Sequence, residues 1–266
     1  MSNITKTLEA LKTRGEKALI TFVTAGDPDL ATSEQIVHTL VESGADVIEL
    51  GFPFSDPMAD GPTIQLASER ALAAGASLSG VLQLVANVRQ HSNVPIVLMG
   101  YYNPIYRYGA EAFARDAAAV GVDGLLLVDL PPEEAGELHP ALRENGIDLI
   151  TLLAPTTGEA RSAELAAAGE GFLYYVSMTG VTGTQQVDAA AIAAAVATLK
   201  EQSSVPVAVG FGVSTPDDAR EVAKIADAVV VGSALVKLVE KYAGSPQLLD
   251  EVGSYVKALK GAISDS

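Results

Sequence analysis

The sequence predicts an α/β fold closed into one parallel barrel, and three observations carry that prediction. Eight short runs dominated by Val, Ile and Leu alternate with segments of helical spacing, the pattern of strands buried on both faces of a parallel sheet. A glycine followed two residues later by an aspartate recurs just before strands, in Gly44-Ala45-Asp46, Gly121-Val122-Asp123 and Gly146-Ile147-Asp148, and Ala226-Asp227 echoes it. The length of 266 residues and a hydrophobic content of 48% suit one domain with a large core. The competing arrangement is an open, doubly wound sheet. It would be marked by GxGxxG after the first strand or by GxxxxGK, and neither occurs. The expected architecture is therefore a single (β/α)8 TIM barrel over residues 1–266, with an extra helix at the N-terminus.

That first helix is read from Ile4, Leu8 and Leu11 at helical spacing. ALITFV (18–23) is the first strand and ends in the turn Thr24-Ala25-Gly26-Asp27-Pro28. A helix over 33–43 is stopped by Gly44, and DVIEL (46–50) is the second strand. A helix follows from about 62 to 74. PIVLMGY (95–101) is the third strand, with a helix near 111–119 after it, and GLLLVDL (124–130) is the fourth. Pro131-Pro132-Glu133-Glu134 reads as a helix start. DLITLLA (148–154) is the fifth strand and precedes an Ala-rich helix near 158–168. FLYYVS (172–177) is the sixth, before a Gly/Thr loop and a long helix from about 188. PVAVGFG (206–212) and ADAVVVGSA (226–234) hold the last two strands, with helices after each. In the recurrent element the glycine ends a helix in the left-handed conformation and the aspartate caps the strand's entry edge.

Composition excludes several kinds of function. The net charge is −16, from 17 basic and 33 acidic residues, which argues against nucleic acid because phosphate binding needs clustered Lys and Arg. With no cysteine there is no disulfide, thiolate metal site or cysteine nucleophile. The N-terminal MSNITKTLEALKTRGEK lacks the apolar core of a signal peptide, and no apolar run nears the ~18 residues of a membrane span. A cytoplasmic protein is expected.

In a barrel the chemistry belongs at the C-terminal ends of the strands. No lysine lies between Lys17 and Lys200, so a Schiff-base aldolase has no nucleophile there. His38, His91 and His139 fall in helices or loops, which argues against a histidine-bound metal and a Ser-His-Asp triad. Carboxylates remain, and the segment ELGFPFSDPMADGPT (49–63) holds the main ones. Glu49 ends an apolar strand, where burial raises a carboxyl pKa and suits it to donate a proton; pairing with an Arg or a backbone amide is the other reading. Asp60 has two open roles, a site carboxylate or a cap for the helix starting at Pro62. Asp129 reads as a helix cap ahead of Pro131, with a catalytic role as the other reading. Backbone amides after the last two strands, with Ser233 at a helix start, could hold a phosphate without Lys or Arg, or could be ordinary turns. SMTGVTGTQQV (177–187) is either a closing lid or a plain connector.

With these residues in place, the sequence resembles the tryptophan synthase α-subunit family over nearly its whole length. The resemblance rests on ELGFPFSDPMADGPTIQ (49–65), FVTAGDP (22–28), TGVTG (179–183), GFG (210–212) and VGSA (231–234). It implies a TIM-barrel lyase that splits indole-3-glycerol phosphate into indole and glyceraldehyde 3-phosphate. Glu49 matches the family's proton-shuttling glutamate and Asp60 the aspartate that takes the indole N–H. Phe22, Tyr101, Leu126, Val128, Leu152, Tyr174 and Phe211 match the indole pocket. Gly183, Gly212, Gly232 and Ser233 match the phosphate site, and Thr182 matches a lid threonine. The family works as an α2β2 heterotetramer, and its pyridoxal phosphate belongs to the β subunit, so no cofactor is expected on this chain. Pro53, Asp56, Pro57, Asn103 and Gly180 correspond to contact or coupling regions. Met178 departs from members that carry Arg beside the lid. The readings that compete are a different phosphosugar barrel enzyme, a stand-alone lyase and a mainly regulatory subunit for β.

Overall fold

In the computed structural model, residues 2–176, 189–210 and 212–264 are described. The strands are β1 (Ala18–Thr24), β2 (Val47–Gly51), β3 (Ile96–Gly100), β4 (Gly124–Leu127), β5 (Asp148–Leu149), β6 (Thr151–Leu153), β7 (Leu173–Val176), β8 (Val207–Gly210) and β9 (Ala228–Val231). All pairings are parallel, in the order β5-β4-β3-β2-β1-β9-β8-β7-β6. Only Ile150 separates β5 from β6. They are the two halves of the expected fifth strand, one pairing with β4 and the other with β7, and through them the nine segments form a nearly closed barrel.

The helices are α1 (Asn3–Thr13), α2 (Leu30–Glu42), α3 (Pro62–Ala73), α4 (Leu78–Arg89), α5 (Tyr102–Tyr108), α6 (Ala110–Val120), α7 (Leu138–Glu144), α8 (Glu159–Ala167), α9 (Ala189–Gln202), α10 (Pro216–Ala223), α11 (Ser233–Tyr242) and α12 (Leu248–Ser264). Two of these, α4 and α5, fall outside the one-helix-per-strand expectation. Pro132–Glu134 makes one 3-10 turn, and the helix expected from it begins only at Leu138.

Alternation along each strand divides the core in two. Leu19 and Val23 of β1 face the helix layer, whereas Ala18 and Ile20 face the barrel interior with Val47, Val97, Leu126, Ala208 and Val230. The extra helix α1 closes the N-terminal floor, burying Ile4, Leu8 and Leu11 in that interior cluster. No single helix among the described residues is long and apolar enough to cross a membrane.

The floor also explains the recurrent aspartates. Asp46 Oδ2 accepts from Leu19 N at 2.7 Å, Asp123 Oδ2 from Ile96 N at 2.8 Å, and Asp227 Oδ2 from Val207 N at 3.0 Å. Each aspartate therefore caps the adjacent, earlier strand of the barrel rather than its own. Each also meets a cation: Lys260 at 2.6 Å, Arg89 at 2.6 Å and Lys200 at 2.8 Å, respectively. Asp148 departs from the pattern. It accepts from Ser2 Oγ, and Glu170 Oε2 takes the strand N–H of Leu149. The glycines before them are left-handed, at φ 104° for Gly44 and 91° for Gly121.

Candidate active site

At the opposite end of the barrel a narrow cleft opens between the C-terminal ends of β1 to β4 and α3. Phe22, Thr24, Gly51, Phe52, Phe54, Asp60, Ile64, Ser68, Met99, Gly100, Tyr101 and Val128 line it. Glycine makes room for the rings here. A Cβ on Gly51 would stand 2.7 Å from the Phe22 ring, and one on Gly100 would stand 2.4 Å from the Phe52 ring. Across the barrel a Cβ on Gly210 would reach Tyr174 Oη at 2.5 Å. Three strands thus end in a glycine because an aromatic side chain from elsewhere occupies that space, on the inner face at Gly51 and Gly210 and on the helix-facing side at Gly100.

Glu49 sits in the middle of β2, in register with Phe22 on one side and Val97 on the other. Strand alternation points it inward. Its exposure is 0%, and neither carboxylate oxygen has a hydrogen-bond partner among the described residues. Among the described residues, the paired-glutamate reading therefore finds no partner. Burial without compensation drives its pKa up to about 8, so the group is mostly protonated at neutral pH. Buried Tyr174 is raised well above its ordinary value by its own burial, and then by the Glu49 charge.

Asp60 lies in the loop after β2. Gly61, not Asp60, is the N-cap of α3, and that helix start has no side-chain cap, so the capping reading of Asp60 is overturned. The Asp60 carboxyl instead faces Tyr101. Burial lifts its pKa to about 6, and the Tyr101 hydrogen bond opposes that rise. Tyr101 Oη in turn accepts from Ala59 N at 2.9 Å, and Gln65 Nε2 donates to the Asp60 carbonyl at 2.8 Å. Asp60 is thus held from both sides of its loop. Asp129 is a cap, but of α5: its Oδ1 accepts from Tyr102 N at 2.8 Å.

Of the expected pocket residues, Phe22, Tyr101 and Val128 line the cleft. Leu126, Leu152 and Tyr174 lie in the interior cluster and not in the cleft wall. Gly232 and Ser233 open α11, whose N-terminus has no side-chain cap, and Gly212 has φ 84°. Phe211, Met178, Gly180, Thr182 and Gly183 lie outside the described residues. Pro53 is buried, Pro57 half-buried, and Asp56 and Asn103 are exposed near the mouth. Thr24, Ile64, Ser68 and Met99 join the wall without having been expected there. The i, i+4 spacing of Ile64 and Ser68 on the helix after Asp60 is the signal that could have found two of them.

A family model described as tryptophan synthase alpha chain matches residues 8–264. The chain belongs to the tryptophan synthase alpha chain family. The tryptophan synthase alpha chain of Citrifermentans bemidjiense is 59% identical over 263 residues, covering 99% of this chain and 98% of that one. That of Geobacter sulfurreducens is 56% identical over the full length of both. Among solved structures, tryptophan synthase subunit alpha from Legionella pneumophila superposes with a TM-score of 0.92 at 42% identity, covering 100% of both chains. A Mycobacterium tuberculosis tryptophan synthase chain reaches 0.91 at 37% identity, covering 99% of this chain and 98% of that one. The chain is thus the lyase subunit of tryptophan biosynthesis, the one that cleaves indole-3-glycerol phosphate to indole and glyceraldehyde 3-phosphate.

Proposed function

We propose that Glu49 and Asp60 carry this cleavage, and the observation that supports it most is a fully buried glutamate, without a hydrogen-bond partner among the described residues, beside a cleft that holds a second carboxyl group. The reaction breaks the bond between the indole ring carbon and the hydroxyl-bearing carbon of the glycerol chain. Protonated Glu49 gives its proton to the ring carbon, and the ring nitrogen becomes cationic. Ionised Asp60 accepts the N–H and balances that charge. The Glu49 carboxylate then takes the proton from the side-chain hydroxyl. The carbon–carbon bond breaks with its electrons passing to the ring, which leaves indole and an aldehyde and restores protonated Glu49. No Schiff base or cofactor of this chain enters the reading, because the protonated ring is itself the electron sink. Values of about 8 and about 6 suit this division, one group protonated and the other mostly ionised at pH 7.

Members of this family partner a β subunit. We extend that to an α2β2 heterotetramer in the cytoplasm, with pyridoxal phosphate on the β subunit. Met58, 86% exposed, and Tyr106, 65% exposed, lie after the neighbouring strands β2 and β3 and support a contact surface at the mouth. Phosphate binding is assigned to Gly212, Gly232 and Ser233, with Gly183. The test is indole release from indole-3-glycerol phosphate by the purified chain, alone and with a β subunit from the same source. Weak release that rises sharply with β is expected. Strong release unchanged by β would replace this reading with a stand-alone lyase.

A further inference from the structure

Arg70 lies outside the cleft wall yet holds together the elements that frame it. Its Nε and Nη2 donate to Asp27 Oδ1 and Oδ2, each at 2.8 Å, and its Nη1 donates to Glu240 Oε1 at 2.9 Å. Asp27 is 3% exposed in the turn after β1, three residues beyond Thr24 of the cleft wall. Its N–H donates to the Thr24 carbonyl at 3.2 Å, so the turn is anchored to the strand end. Arg70 itself belongs to α3, the helix that follows Asp60 and gives Ile64 and Ser68 to the cleft. Glu240 is in the last turns of α11, whose first residue is Ser233.

Between this ionic clamp and the cleft lies a small apolar cluster of Phe22, Ile64, Ala67 and Val236. Ala67 is one turn before Arg70, and Val236 is one turn before Glu240. Apolar packing on the inner side and a three-point clamp on the outer side therefore fix α3 against α11 and the β1 turn. Two parallel bonds from a planar guanidinium fix an angle as well as a distance, which a single ammonium cannot do.

We infer that Arg70 is a positioning residue that sets the span between Asp60 and the N-terminus of α11, the two places a phosphorylated indole must reach at once. This rests on the site reading given above. A substrate held at two points is sensitive to their separation: a misplacement of about 1 Å can cost about 10²-fold in rate. A ligand that occupies only one point is indifferent to it.

The test compares the two kinds of ligand. Arg70→Met is expected to lower kcat/KM for indole-3-glycerol phosphate about 10–100-fold, with kcat falling. The Kd for glycerol 3-phosphate, which fills the phosphate end alone, should change less than about threefold, since nothing within that end is altered. Arg70→Lys keeps the charge without the fork, and its kcat/KM should fall between wild type and Met. Equal weakening of both ligands, tracking a loss of Tm, would show a purely structural role and overturn the inference. Wild-type kcat/KM in both variants would overturn it as well. An Asp60→Ala variant with a wild-type rate would instead sink the underlying site reading, and the inference with it.

Discussion

The two ends of the barrel use the carboxyl group for opposite purposes. At the floor, Asp46, Asp123 and Asp227 each accept a strand N–H and pair with a lysine or arginine. At the mouth, among the described residues, Glu49 has neither kind of partner, and Asp60 has a tyrosine in place of a cation. Burial alone does not separate the two ends, since it raises the Asp123 carboxyl too, even against Arg89 and the Ile96 N–H. What separates them is compensation. A carboxylate with its bonds made fixes strand register, whereas one left without them keeps its proton available for chemistry and lowers stability. Carboxylates at the mouth should therefore govern rate, and those at the floor should govern folding.

The comparison breaks most readily at Glu49. Glu49→Gln should lower kcat by ~10³-fold or more, because donor and acceptor roles are lost together, while the affinity for glycerol 3-phosphate stays near wild type. Asp60→Ala should cost about 10²–10³-fold in kcat with little change in Tm, measured by indole release and calorimetry. A variant that lost Tm and kept its rate would move Asp60 to the floor's category. Asp123→Ala should do the reverse. Leaving the Ile96 N–H and the Arg89 guanidinium without their shared partner should cost about 3 kcal/mol, seen in urea unfolding, with kcat unchanged below the new Tm.

Acid–base behaviour sharpens the contrast further. The kcat/KM profile should rise as Asp60 ionises near pH 6 and fall as Glu49 loses its proton near pH 8. A flat profile across that window would contradict the assignments. Stability should carry the same signature. Folded Glu49 holds its proton to about pH 8, whereas in the unfolded chain it releases it near the ordinary glutamate value of 4.5. Between those values the native state binds more protons, so the wild type loses stability as pH rises through that window. The Tm of Glu49→Gln minus that of wild type should therefore grow by a few degrees from pH 5 to pH 9.

Much of the barrel was legible because strands buried on both faces must be continuous apolar runs, and each of the eight such runs holds strand. The break at Ile150 was not legible, since it is a change of pairing partner within one apolar stretch. Helix α5 hid behind Asn103-Pro104, which reads as a turn, although proline near a helix start is well tolerated. Helix α4 has clear spacing at Val81, Val85 and Val88, but a repeat expecting one helix per strand leaves it no place. The recurrent aspartates were legible as strand caps, but their reach to a neighbouring strand depends on the ring of pairings. At the site, Glu49 was legible because a glutamate at the end of an apolar run is costly to bury unless it is paired or used. Thr24 and Ser68 look like ordinary surface hydroxyls until strand and helix bring them to one cleft. Arg70 carried no signal at all: its partners lie 43 and 170 residues away.

The most direct test of the division between mouth and floor is indole release from indole-3-glycerol phosphate by Glu49→Gln and Asp123→Ala side by side at pH 7, below the Tm of either. The folded Glu49 variant should be silent, and the less stable Asp123 variant should turn over at the wild-type rate. Turnover by Glu49→Gln, or its loss in folded Asp123→Ala, would contradict that division of labour.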